Sequence, residues 1–379
     1  MKFSAMVVLS LFLPAMAGAQ EYEHIYRFFV NSAMTGNYFF SSAACTGGSS
    51  VKNDNGKLPV SSALFHTPGN SLELRYLSAA ASDWMASIYS RRALGIEDYV
   101  TPSMLSFWVY HGSDIESQND LPELQLLRTD STLSRAAMIP CGNHGEWYRV
   151  LIPLTDFSDI DFGHPDTILA VVLSQHNGND SEMHTIFIDD IELIPVVPVM
   201  KTEQKPELLN ARGFLMHVDL TWKAISDPSV YLVKIYRSTE GSGYTPVAVQ
   251  KPYINRFADF TGKTGKEYSY CISFLDRDYR ESGLSGAVTA ATRPMSDDEM
   301  LTMVQEASFR YYWEAAEPFS GMARECIPGS PTMIACGASG FGIMALVVGT
   351  EREFISRDES INRFVKILSF LETAETFHG

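Results

Sequence analysis

The chain has 379 residues, of which 45% are hydrophobic and 12% aromatic, enough for two or three domains with proper cores. Its formal net charge is −16, and no Lys/Arg cluster runs against that acidity. The balance argues against nucleic acid and anionic membrane surfaces as partners, and leaves a neutral polysaccharide or oligosaccharide open.

Residues 1–19 read as an export signal. Lys2 supplies the positive start, Ala5 to Leu13 the apolar run, and Ala17-Gly18-Ala19 a small-x-small cleavage site before Gln20. The run is too short to anchor the chain in a bilayer, so an exported protein, periplasmic or extracellular and without membrane anchor, is expected. Five cysteines suit an oxidising compartment without requiring disulfides. Cys45 with Cys141, and Cys326 with Cys336, could pair or equally stay free, and Cys271 is left over.

Residues 20–195 read as β-rich. Leu72, Leu74 and Tyr76 alternate with Glu73 and Arg75, the mark of a half-buried strand. Met104 to Tyr110 is apolar on both faces, as in a strand inside a sandwich, which makes Trp108 a core residue. Further strands are expected at Tyr148–Ile152, Ile168–Leu173 and Ile186–Ile194, separated by polar turns. The pattern predicts a jelly-roll sandwich. The run Phe187–Leu193 resembles the last strand of galactose-binding-like carbohydrate modules. Trp84 and Trp147 neighbour polar turns and are the candidate sugar-stacking residues here. Asp189 and Asp190 either help hold a structural Ca²⁺ or mark a solvated strand end; no other cofactor is expected.

Residues 196–206, with Pro198 and Pro206, read as a stiff linker. From 207 to 293 the chain resembles a fibronectin type III domain. Val218, Leu220 and Trp222 alternate early, and Tyr268, Tyr270, Ile272 and Phe274 late, with Asp276–Ser282 as the turn between the last two strands. That alternation turns Cys271 outward, away from the core.

Helices begin at Ser296, which forms a capping box with Glu299. Met300, Val304, Ala307 and Tyr311 then share one face. A second helix through Phe341–Val348 is apolar all round. A third opens with the capping pair Ser356 and Glu359, ends near Ala374, and buries Ile361, Phe364, Val365, Leu368 and Leu371. Gly337, Gly340 and Gly342 lack the Lys of a phosphate loop and fit close helix packing better. His378 stands alone and carries no expected role.

Three runs within residues 294–379, Phe309–Glu314, Ser320–Glu325 and Gly340–Ala345, resemble the opening of the bacterial glucoamylase-like glycoside hydrolases. That group includes the endo-β-1,2-glucanases of glycoside hydrolase family 144, whose fold is an (α/α)6 barrel. The resemblance implies a secreted enzyme acting on β-glucan, with β-1,2-glucan favoured. It also implies that the essential acidic residues lie beyond the stretch matching Phe377–Gly379, so no catalytic residue carries over and the chain as given should be silent. Among matching positions, Arg324 and Glu325 either hydrogen-bond sugar hydroxyls or brace their loop as an ion pair. Trp313 and Phe341 either stack on sugar rings or pack in the barrel core.

The expected architecture is therefore multidomain: a jelly-roll sandwich, a fibronectin type III sandwich and the start of an all-α toroid, its isolated helices poorly packed. Two other classes remain open, a non-catalytic carbohydrate-binding protein and a structural or adhesion protein built from β modules.

Overall fold

The computed structural model describes residues 26–32, 36–90, 102–157, 167–176, 182–195, 204–239, 241–326 and 332–375. The expected leader, most of the expected linker (196–203) and His378 lie outside the described residues. Two compact units emerge, a β-rich one spanning residues 24–302 and a helical one spanning 303–325 and 331–379.

The β-rich unit opens with a sandwich of strands β1 (Tyr26–Phe29), β2 (Ser41–Thr46), β3 (Ser50–Val51), β4 (Val60–Ser61), β5 (Ser71–Leu77) and β6 (Asp83–Tyr89). These are followed by β7 (Met104–His111), β8 (Glu123–Arg128), β9 (Ala137–Met138), β10 (Tyr148–Pro153), β11 (Ile168–Ser174) and β12 (Met183–Ile194). One sheet runs β10-β7-β12-β5-β3, with β1 added on β12 and β4 on β5; the facing sheet runs β2-β6-β11-β8-β9. Period-two alternation explains the core. Leu72, Leu74 and Tyr76 from β5, Leu105, Phe107 and Val109 from β7, and Ile186 and Ile188 from β12 meet Trp84, Ala86 and Ile88 of β6 and Leu124 and Leu126 of β8.

A second sandwich follows, built from β13 (Leu208–Gly213), β14 (His217–Trp222), β15 (Leu232–Thr239), β16 (Thr245–Gln250), β17 (Arg256–Phe260), β18 (Glu267–Leu275) and β19 (Val288–Ala291). Its sheets run β13-β14-β17 and β16-β15-β18-β19. Val218, Leu220 and Trp222 pack inside against Tyr268, Tyr270, Ile272 and Phe274. Cys271 departs from expectation. It points to the outer side of β18 yet is only 3% exposed. Tyr236 lies directly across from it, and Glu281 reaches over the same face to accept a hydrogen bond from Ser273 Oγ at 2.6 Å.

All five cysteines are free. Cys45 lies on β2 and Cys141 just beyond β9, opposite edges of one sheet. Four strand spacings, roughly 19 Å, are far beyond disulfide reach. In the helical unit an antiparallel bridge joins Arg324 to Ile334, a register that sets Cys336 opposite Met322 and leaves it well away from Cys326.

The helices are α1 (Asp297–Trp313), α2 (Cys336–Glu351) and α3 (Arg357–Thr373). Both capping boxes form: Glu299 accepts from Ser296 N at 2.9 Å, and Glu359 from Ser356 N at 2.8 Å. The buried faces differ from the expected ones. Phe309 of α1, Leu346 of α2 and Ile367 of α3 meet Met322 and Ile355 in a small core. Met300, Val304 and Ala307 face solvent instead, as do Ile361, Val365, Leu368 and Leu371; of the expected third-helix set only Phe364 packs inward. A core this small cannot satisfy every apolar position on three helices. It takes the face carrying glycines, because α2 approaches closely only there.

Gly349 shows the constraint. A Cβ added there would sit 2.4 Å from the Phe309 ring, and one at Gly342 3.1 Å from Tyr312, whereas one at Gly340 would meet nothing within 4 Å. Gly349→Ala should therefore destabilise the chain by about 1–3 kcal/mol. Gly340→Ala should stabilise it by roughly 0.5–1 kcal/mol through helix propensity alone. Opposite shifts of the denaturation midpoint would bear this out, and equal shifts would refute it.

Candidate functional site

The outer face of the seven-stranded sheet gathers the chemistry of the first sandwich. Alternation along β7 turns Trp108 and Tyr110 outward, and β12 does the same with Phe187. Register then aligns them. Tyr110 pairs with Phe187, Phe187 pairs with Glu73 of β5, and Trp147, just before β10, falls beside Tyr110. Ring centroids lie 5.7 Å apart for Trp147 and Tyr110, and 6.1 Å for Tyr110 and Phe187. The row crosses three strand spacings, roughly 14 Å. It ends at Glu73, which accepts from Lys52 Nζ at 2.7 Å. All three rings are half-buried, with edges held by the sheet and surface left over.

Beside this row the face is closed by the second sandwich. His66 stacks on Trp108 with centroids 3.7 Å apart, and Tyr279 meets both rings edge-on at 5.1 and 5.5 Å. Arg149 donates from Nε to Ser106 Oγ at 3.0 Å and from Nη1 to the Arg277 carbonyl at 3.0 Å. Behind them Glu192 is 1% exposed. It accepts hydrogen bonds from the hydroxyls of Tyr231 and Tyr279, and Arg27 Nε lies 3.7 Å away. Burial pushes the Glu192 carboxyl above its usual range even though Arg27 and Tyr231 pull the other way. Burial also raises both tyrosine hydroxyls well above theirs, keeping them donors.

Asp189 and Asp190 are buried rather than solvated, 0% and 1% exposed. Asp189 Oδ2 accepts from the backbone N–H of His66 at 2.8 Å and Thr67 at 3.1 Å. Asp190 accepts from Thr67 Oγ1 at 3.1 Å and sits 3.0 Å from His66 Nδ1. Among the described residues no cluster of three His, Cys, Asp or Glu side chains could hold a metal ion. The two carboxylates tie down the 66–67 loop. Burial first, and the neighbouring charge of Asp190 second, push the Asp189 carboxyl well above its usual range.

The other expected site residues scatter. Trp84 is 1% exposed, packed on Tyr76, with its indole N–H on Ser78 Oγ at 3.0 Å; it is core, and no face remains for a sugar. Trp108 leaves the core and joins the outer face, and Trp147 stands in the aromatic row. In the helical unit Arg324 turns inward, Nε donating to the Ala315 carbonyl at 3.2 Å, while Glu325 is exposed. Trp313 is covered by Phe309 and by the Arg363 guanidinium 4.3 Å above its ring. Phe341 is 72% exposed on α2 rather than packed. Tyr110, Phe187 and His66 went unflagged in the sequence. The signal was present in the two-sided apolarity of β7, which marks an aromatic outer face as readily as an interior strand.

Residues 26–195 match the family model described as "Carbohydrate binding domain 30". The whole chain is similar to an exo beta-1,2-glucooligosaccharide sophorohydrolase (non-reducing end) of Parabacteroides distasonis. The two are 42% identical over 380 aligned positions, which cover 98% of this chain and 52% of the relative. Among solved structures, a beta-1,2-glucanase from Parabacteroides distasonis superposes with a TM-score of 0.86 at 42% identity, over 93% of this chain and 51% of that one. The chain thus spans about half the length of the relative that it matches.

The raised Asp189 carboxyl makes stability depend on pH with a definite sign. Between the ordinary carboxyl range, about pH 4, and the higher folded value, the folded state holds a proton that the unfolded chain releases. That contribution is complete at acid pH and is lost as pH rises through the folded pKa. Urea midpoints of the parent chain minus those of Asp189→Asn should therefore fall as pH rises from about 4 toward neutrality. A difference that stays flat or climbs would contradict the assignment.

Proposed function

We propose that this chain is the polysaccharide-recognising portion of an exported glycoside hydrolase acting on β-1,2-glucan, and that by itself it binds glucan without cleaving it. The observation that carries the proposal is the Trp147–Tyr110–Phe187 row, an apolar track of rings inclined 53° and 70° to one another and bordered by Glu73 and Lys52. It lies within the segment matched by a carbohydrate-binding family. Aromatic faces suit the apolar faces of sugar rings, while the flanking polar groups suit their hydroxyls. The substrate class rests on the similarity to a beta-1,2-glucooligosaccharide sophorohydrolase and to a solved beta-1,2-glucanase, and export rests on the leader-like residues 1–19.

The remaining modules take their roles from the same reading. The second sandwich, three strands facing four with Trp222 in its core, fits a fibronectin type III module. The helical unit fits the opening of an (α/α)6 toroid. Val304, Met344, Val365 and Leu368 are each more than half exposed, and apolar surface of that kind is ordinarily covered by a further layer. In that setting Phe341 and Glu325 are positions from which a larger cleft would be lined.

Calorimetric titration of the chain with linear β-1,2-glucan, alongside β-1,3- and β-1,4-glucans, tests the proposal. The β-1,2-linked polymer should bind best, and Tyr110→Ala should weaken it by roughly tenfold, the scale of one lost aromatic contact. Trp84→Ala should instead cost about 3–5 kcal/mol of stability. Failure to bind any glucan would end the proposal, and release of reducing sugar by the purified chain would show that it cleaves as well as binds.

A further inference from the structure

We infer that the Asp276–Arg280 loop of the second sandwich positions the sugar platform of the first, so that Tyr279 sets glucan affinity without touching glucan. The inference rests on the carbohydrate-binding reading of the aromatic row.

A continuous series of ring contacts joins the two. Tyr279 meets His66 at 5.1 Å, His66 meets Trp147 at 5.9 Å, and Trp147 meets Tyr110 at 5.7 Å. His66 is the hub. Its ring is stacked on Trp108, its Nδ1 lies against Asp190, and Tyr279 closes its remaining side. Trp147 sits outside any strand, so no ladder of backbone hydrogen bonds fixes its ring. Side-chain contact with His66 and Tyr110 must do so instead.

Tyr279 is itself firmly placed. Its backbone adopts φ +60°, uncommon for a non-glycine residue, within a turn whose N–H groups at Asp278 and Arg280 donate to Asp276 Oδ1 at 2.8 and 2.9 Å. Its hydroxyl donates to Glu192 Oε1 at 3.2 Å, and the Arg149 guanidinium lies 5.2 Å from its ring. Such a turn holds a ring in place even where the surrounding backbone pays conformational strain. A platform whose rings are fixed before ligand arrives loses less side-chain freedom on binding.

The test compares Tyr279→Ala with Tyr279→Phe in the full chain. The first removes the ring, whereas the second keeps the ring against His66 and Trp108 and deletes only the hydroxyl. Two readouts are taken: affinity for linear β-1,2-glucan, and acrylamide quenching of tryptophan fluorescence without sugar, with Trp108→Phe identifying that residue's share. Tyr279→Ala should weaken glucan binding by roughly three- to tenfold and increase quenching of Trp108 and Trp147, while Tyr279→Phe stays within about twofold of the parent on both. Unchanged binding by Tyr279→Ala, or a Phe variant as weak as the Ala variant, overturns the inference while leaving the carbohydrate reading intact. A parent chain that binds no glucan removes the carbohydrate reading, and this inference with it.

Discussion

Glu192 is the constraint around which the β-rich unit is arranged. A carboxylate without water is costly unless charge and hydrogen bonds replace its hydration. Its own sandwich supplies the charge of Arg27 and, more weakly, that of Arg149. Tyr231 and Tyr279, the two hydroxyls that complete its shell, belong to the other sandwich. Separating the sandwiches would expose both tyrosines and leave Arg27 and Glu192 to find water. The two modules therefore form one compact unit rather than beads on a string. Lys251, from the same sandwich as Tyr231, covers that ring, with its ammonium 3.9 Å from the ring centre.

How much of this could be read from the sequence follows from the range of the interactions. Inner faces were legible because strand alternation is local: Leu72, Leu74 and Tyr76, or Val218, Leu220 and Trp222, declare themselves within a few residues. Outer faces were not, because what covers them comes from elsewhere. Cys271 and Ser273 sit on the solvent side of β18 and are nonetheless buried beneath Tyr236 and Glu281. Trp108 looked like core for the opposite reason. Its strand is apolar on both sides, but one side packs on a hydrophobic interior and the other on His66 and a loop more than a hundred residues away. Asp189 and Asp190 were seen as a pair, yet their partners, His66 and Thr67, lie on a distant loop with no motif to announce it.

The helices make the same point from a weaker position. Capping boxes at Ser296 and Ser356 were legible because they span four residues. The buried faces were not, since a helix rich in apolar residues on several sides does not say which side meets its first neighbour. Small residues decide that. Gly342 and Gly349 let α2 approach Tyr312 and Phe309, and the faces left over, with Phe341, Met344 and Leu368, stay exposed.

One irregularity links the core, the junction and the binding face. Along β12, Ile186 and Ile188 point inward and Phe187 and Asp189 outward, as regular alternation requires. If that alternation continued, Glu192 would enter the hydrophobic core and Ile191 would face outward. Instead the register slips between Asp189 and Glu192, where three residues of β12 span two of β7, and Asp190 takes φ +50°. The bulge inserts one residue and reverses the alternation. Ile191 and Leu193 then return to the core, and Glu192 emerges on the same side as Phe187 and Asp189. A single strand can thus present an aromatic ring to the open row, a carboxylate to the 66–67 loop and a second carboxylate to the neighbouring sandwich. The last of these depends on that one inserted residue, and the left-handed backbone at Asp190 is held by the hydrogen bonds its side chain makes to the loop it anchors.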